Sequence, residues 1–254
     1  MAKPELVVAE PVRRLRRRLG PYGALLATAG IGAAVFVGLL VASAGVYDAV
    51  ADADGVSGLD QPVLDYAMSV RTPASAALVT GFTNLGDTEW MVVFVLAIAA
   101  LMYWRWRRRT VLVLTVVAMT GSLIFTAVGK SLVGRNRPPL EFAVPPYEYA
   151  PSFPSGHTLN STVFAAIAAY FAIWLAQRLW VRVLAPVLAA LWAGAMGLSR
   201  MFLGHHWLTD VVFGWLFGLA WIALLVTIHR VLLRLDRKEP DAPAALDEQE
   251  QSGS

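Results

Sequence analysis

Apolar positions in this chain gather into long continuous blocks, with the polar positions confined between them. The blocks cover about Tyr22–Val46, Ala76–Trp104, Val111–Val133, Ser155–Leu179, Val183–Leu198 and His206–Leu233. Several approach the roughly 20 residues that a helix needs to cross a bilayer core. Continuous runs of this kind fit helices, whereas a membrane barrel requires many short alternating strands. The expected fold is therefore all-α, a polytopic bundle of six transmembrane helices.

The connecting stretches carry the detail. Residues 47–75 hold Asp48, Asp52, Asp54, Asp60 and Asp65 against a single Arg71, with a short helix expected from Leu59 to Val70. The second span is entered through the turn Asn84-Leu85-Gly86-Asp87, where Asp87 reads as a helix N-cap and Glu89 as a favourable first-turn charge. A loop rich in proline, tyrosine and acid follows Val133 and runs through Phe153. Its prolines interrupt any continuous helix.

Composition agrees with the pattern: 57% hydrophobic and 15% charged residues exclude an ordinary soluble domain. The absence of cysteine excludes a disulfide framework and a thiolate metal site. A net charge of +3 decides little, but its placement decides more. Arg13, Arg14, Arg16, Arg17 and Arg18, then Arg105, Arg107, Arg108 and Arg109, then Arg178 and Arg182, then Arg230, Arg234, Arg237 and Lys238 all fall on one side of a six-span threading. The positive-inside rule makes that side the cytoplasm. Residues 1–19 are then a basic cytoplasmic tail, 20–233 the transmembrane domain, and 234–254, with Pro240, Pro243 and many polar residues, a disordered cytoplasmic tail. The basic start and Ala42-Ser43-Ala44 imitate a secretory signal, but the apolar run exceeds a signal's apolar region and reads as an uncleaved anchor in the cell membrane. Trp90, Trp104, Trp106, Trp180 and Trp207 near the span ends fit interface anchors.

On the outer side, several ionisable residues stand where a membrane protein should least hold them. Lys130, Arg135 and Arg137 break the charge rule at the outer end of the third span. Lys130 alone fits a snorkelling lysine, but its companions make an anion ligand the better reading. Pro154-Ser155-Gly156-His157 opens the fourth span, offering a hydroxyl, helix-start N–H groups and a glycine that lets a ligand approach. Ser199-Arg200 and His205-His206-Trp207-Leu208-Thr209-Asp210 join the fifth span to the sixth. His206 and Asp210 are four apart and share a helix face, so the carboxylate can orient the imidazole. Arg137, Arg200, Lys130 and helix-start amides suit phosphoryl oxygens, and two imidazoles suit attack and leaving-group protonation. Those cations would repel a metal ion, so no metal and no cofactor is expected.

Lys130, six residues, Arg137-Pro138; Pro154-Ser155-Gly156-His157; and Ser199-Arg200, five residues, His206, three residues, Asp210 together resemble the three-part signature of the type 2 phosphatidic acid phosphatase superfamily. The resemblance implies a metal-independent integral membrane phosphatase acting on a lipid phosphate, in the manner of bacterial phosphatidylglycerophosphate and undecaprenyl-diphosphate phosphatases. It implies His206 as the nucleophile that forms a phosphohistidine, Asp210 as its partner and His157 as the general acid. Lys130, Arg137, Ser155, Gly156 and Arg200 would bind the phosphate. Arg135 and His205 are not signature positions; His205 reads as a local polar contact, and His229 lies about 35 Å further along the last helix, outside the site. The partners expected are the lipid substrate and the bilayer, with no nucleic acid and no mark of an oligomeric state. A phosphotransferase passing the group to another acceptor and a non-catalytic transporter of anionic lipids are the alternatives.

Overall fold

The computed structural model describes residues 10–236, with side chains from Tyr22 onward. Among these residues there are eight α-helices: α1 (Glu10–Asp52), α2 (Asp60–Val70), α3 (Pro73–Thr83), α4 (Thr88–Trp106), α5 (Arg109–Val133), α6 (Gly156–Leu175), α7 (Leu179–Phe202) and α8 (Leu208–Leu235). Six of them, α1 and α4 to α8, are long and apolar enough to cross a membrane. The proposed disordered tail lies almost wholly outside the described residues. At the other end α1 begins at Glu10, so the Arg13–Arg18 cluster is already on the helix that becomes the first span.

The second span is entered through the expected turn at Asn84–Asp87. The run from Ala76 to Trp104 is not one helix. Thr72 and Ser75 form a reciprocal capping box with Pro73 at the first helical position, which starts α3 early. A short 3-10 turn over Asn84–Gly86 then ends α3, and Thr88 begins the membrane-crossing helix α4. The loop helix expected over Leu59–Val70 is present as α2.

Residues Phe36–Ala223 form one compact unit that holds every candidate site residue. Its centre is α6: 67% of the crossing stretch of α6 is buried, against 11% for α4 and α7, which leave their leucines and valines to the lipid. Small residues let helices approach this core. A Cβ on Gly214 or Gly218 of α8 would meet Thr158 or Thr162 of α6 at 3.1–3.2 Å, a four-residue repeat of the kind that brings membrane helices into close contact. The second unit comprises α1 up to Val35 and α8 from Leu224 in its described part; within it Gly32 abuts the Thr227 side chain.

Within Phe36–Ala223 the chain order fixes where chemistry can collect. The start of α4, the end of α5, the start of α6, the end of α7 and the start of α8 are successive turns of an up-and-down bundle and share one end. Arg105 to Arg109 and Arg178 to Arg182 sit at the opposite ends of those helices.

Candidate active site

The last turn of α7 and the first turn of α8 are joined by a tight turn whose backbone places Arg200, His205, His206 and Asp210 together. His205 N–H and His206 N–H both donate to the Arg200 carbonyl, at 3.0 and 3.3 Å. Asp210 reaches back to accept from the Trp207 N–H at 3.0 Å, so it caps the start of α8 while its carboxylate faces His206. His206 Nδ1 lies 3.3 Å from Asp210 Oδ2. The expected dyad is thus present, although His206 precedes the helix rather than lying on it.

The protonation pattern of His206 follows from its neighbours. Arg137 Nη1 approaches His206 Nε2 at 3.1 Å. A guanidinium can only donate, so Nε2 must accept, and the ring proton sits on Nδ1, facing Asp210. Burial first, and then the charges of Arg137 and Arg200, hold the His206 pKa well below its ordinary value. His206 is therefore a neutral imidazole whose bare Nε2 faces the Arg137 guanidinium.

Glu148 ties those guanidiniums together. Its carboxylate takes Arg137 Nη2 at 2.8 Å on one oxygen and Arg200 Nη2 on the other. Burial pushes the Glu148 carboxyl up, but Arg200 and Arg137 outweigh it and bring the pKa to about 2. An ionised carboxylate thus occupies the fork expected to bind the phosphate. Arg137 is further fixed by the carbonyls of Ala150 and His205, at 2.6 and 2.7 Å, and Arg200 by Thr83 Oγ1 at 3.2 Å. The Nε of Arg200 is buried without a hydrogen-bond partner, which leaves a donor for an incoming anion.

The remaining expected ligands are distributed around this fork. Gly129 lets α5 pack directly against Pro154, where a Cβ would fall 2.6 Å from Cδ, so Lys130 lies beside the segment that begins α6. Its ammonium donates to the Pro151 carbonyl, so it turns into the protein rather than snorkelling outward. Ser155 precedes α6 without making a side-chain cap bond. Its hydroxyl is buried 2.9 Å from Thr158 Oγ1 and its N–H donates to the Asp210 carbonyl at 3.2 Å. The first intrahelical bond, Leu159 N–H to Ser155 O, leaves the N–H groups of Gly156, His157 and Thr158 as the helix-start donors. At Gly156 a Cβ would stand 3.0 Å from Thr126 Cγ2, so the glycine also serves packing against α5.

Several site residues were not marked by their sequence pattern. Arg135, set aside as lying off the signature, bonds Asp210 Oδ1 and Asp60 Oδ2, each at 2.6 Å, and Thr209 Oγ1 at 2.7 Å. Asp60, from the start of α2, also accepts from the Thr209 N–H at 2.9 Å. Ser152 donates to Asp210 Oδ2 at 2.5 Å. Asp87 is not the expected side-chain cap: it makes no cap bond, and its Oδ1 lies 3.0 Å from His157 Nε2 instead. The one available signal was the pair of cations at 135 and 137 on the wrong side of the charge rule. His205 does what was expected of it: its Nε2 is 2.7 Å from the Val144 carbonyl, and burial leads the causes that bring its pKa to about 4.

A profile of the PAP2 superfamily matches residues 111–234, the stretch that carries Lys130, Arg137, His157, Arg200, His206 and Asp210. Phosphatidylglycerophosphatase B of Bacillus subtilis is 30% identical over 190 residues, which cover 73% of this chain and 90% of that protein. The chain belongs to the PAP2 superfamily. A lipid A 1-phosphatase of Rhizobium etli is 28% identical over 66% of this chain and 76% of its own length. Among solved structures, the transmembrane PAP2 type phosphatidylglycerolphosphate phosphatase of Bacillus subtilis superposes with a TM-score of 0.66 at 26% identity, covering 78% of this chain and 96% of that one. Aquifex aeolicus LpxE, at 20% identity and a TM-score of 0.52, shares the fold. The six long apolar helices expected from the apolar blocks are present, and they belong to a PAP2 membrane fold.

Proposed function

We propose that this PAP2 protein is a membrane lipid phosphatase that transfers the terminal phosphoryl group of a lipid monoester or diphosphate to His206 and then to water. The observation that carries the reading is the geometry of His206: its unprotonated Nε2 faces Arg137, and Asp210 holds the proton on the other nitrogen. The Nε2 lone pair attacks phosphorus, the bond to the leaving oxygen breaks, and His157 gives that oxygen its proton. Water then attacks the phosphohistidine, His157 takes the water proton, and the N–P bond returns its electrons to His206. Arg137, Arg200, Lys130 and the α6 amides stabilise the equatorial oxygens, where aimed donors in a water-poor site act most strongly. With three cations supplying the charge, the chemistry requires no metal ion.

The site faces the outer side of the membrane in this reading, because Arg105, Arg107, Arg108, Arg109, Arg178 and Arg182 occupy the other ends of α4 to α7. Six crossings then leave both termini in the cytoplasm. A lipid phosphate at headgroup depth would meet the site with its tail still in the bilayer. The names of the relatives make phosphatidylglycerophosphate the first lipid to test, with phosphatidic acid and a polyprenyl diphosphate beside it. The detergent-solubilised protein is expected to release phosphate from at least one of the three, at the same rate with EDTA as without. Release from none, or release abolished by EDTA, overturns the proposal.

Glu148 must give up the guanidinium fork when phosphate binds. Removing its charge without changing its shape therefore removes a competitor for the same donors. In Glu148→Gln, inorganic phosphate is expected to inhibit about tenfold more tightly, equivalent to roughly 1.4 kcal/mol. An unchanged inhibition constant would show that the carboxylate does not compete.

A further inference from the structure

One charged contact is left over by the chemistry above. Asp87 begins α4, yet its carboxylate is spent on His157 Nε2 at 3.0 Å rather than on the helix start. The approach is built into the turn before it. The 3-10 turn over Asn84–Gly86 is closed by the Asp87 N–H on the Asn84 carbonyl at 3.1 Å. A Cβ on Gly86 would stand 2.8 Å from His157 Cδ2 and 2.7 Å from Met196 Sδ. The turn therefore lies against the Cδ2–Nε2 edge of the imidazole. Nδ1, on the opposite edge, is turned away from it.

We propose that Asp87 is a positioning residue for the general acid, accepting the Nε2–H of His157 so that Nδ1 delivers the proton to the leaving oxygen. This rests on the reading of His157 as the acid. In the imidazolium both nitrogens carry hydrogen: Nε2–H is given to Asp87 and Nδ1–H goes to the alkoxide as the P–O bond breaks. The ring is then neutral with its remaining hydrogen fixed on Nε2, and the Nδ1 lone pair is free to take the proton of the attacking water. A carboxylate is the group this task needs. Of the two carboxylates among the leading charges on His157, Glu148 is already divided between Arg137 and Arg200, and Asp87 bonds the ring directly. Asp87 thus supplies the anion bonded to the acid, as Asp210 does for the nucleophile.

The test separates proton delivery from folding and from phosphate binding by varying the leaving group. 4-Nitrophenyl phosphate leaves without a proton, whereas dioctanoyl phosphatidic acid loses a poor alkoxide and needs one. kcat/KM for both esters, which reports the first transfer, is measured for the parent protein, Asp87→Asn, Asp87→Glu and His157→Gln. The Asp87 side chain is half exposed and makes no cap bond, so the asparagine disturbs no packing. In Asp87→Asn the ratio of alkyl to aryl kcat/KM is expected to fall about 10- to 100-fold, and Asp87→Glu to recover most of it. In His157→Gln the ratio should fall further, within the range of about 10²- to 10⁴-fold that general acids contribute. An unchanged ratio in Asp87→Asn beside a collapsed ratio in His157→Gln overturns the role of Asp87 and leaves the acid standing. An unchanged ratio in His157→Gln removes the acid reading itself, and the role of Asp87 with it.

Discussion

His206→Ala is expected to lower phosphate release from a lipid phosphate by about five orders of magnitude while the protein stays folded. The size follows from what is lost: without the imidazole there is no covalent step, and removal of a nucleophile costs about 10⁶-fold in a well-studied protease. Folding should survive because the turn does not depend on that ring. Asp210 keeps Arg135, Ser152 and the Trp207 N–H, and the 200–206 turn is closed by backbone bonds to the Arg200 carbonyl. The check is phosphate release alongside a thermal melt in the same detergent. A folded variant retaining more than a hundredth of the parent rate would remove His206 from the chemistry.

Arg135→Ala is expected to act on stability as well as on rate. Arg135 is held between two carboxylates, Asp60 and Asp210, whose side chains are 7% and 0% exposed. Removing it leaves two negative charges buried with no counter-charge between them. Breaking a buried ion pair by deleting one partner costs about 3–5 kcal/mol. The rate should also fall, by about 10- to 100-fold, the usual effect of losing an outer partner that orients a reacting imidazole. Arg135→Lys, which keeps the charge but not the two-pronged fork, should fall between the two. Denaturant titration and phosphate release measured on the same preparations check this. Equal stability for Arg135→Ala and the parent would mean that the Asp60–Arg135–Asp210 chain carries no structural load.

How much of this was legible in the sequence depended on whether the signal was local. Apolar blocks and the charges at their ends give the crossings, because lipid leaves a helix no alternative for its backbone groups. His206 and Asp210 were legible because they are four residues apart, and the dyad needs only that spacing. Asp60 was not, because its partner Arg135 is 75 residues away in the chain and no local spacing relates the two. Glu148 lay in a proline-rich loop without periodicity, so nothing indicated that it would bridge Arg137 and Arg200. The Asp87 contact is hidden for a different reason. An aspartate before a helix is an excellent cap, and the local rule concealed a contact made across the bundle. The turn at Asn84–Gly86 was legible from its residues although the hydropathy runs straight through it, whereas the separate helix α3 before it, started by the Thr72–Ser75 capping box, was not.

On this mechanism phosphorus becomes bonded to His206. The direct measurement is to mix the protein with a lipid phosphate labelled with ³²P in its terminal phosphoryl group, quench within the first turnover, and map the labelled residue. The expected result is label on His206, lost in acid and kept in alkali as a phosphoramidate should be, and absent from His206→Ala. Label on any other residue, or label that persists in His206→Ala, would contradict it.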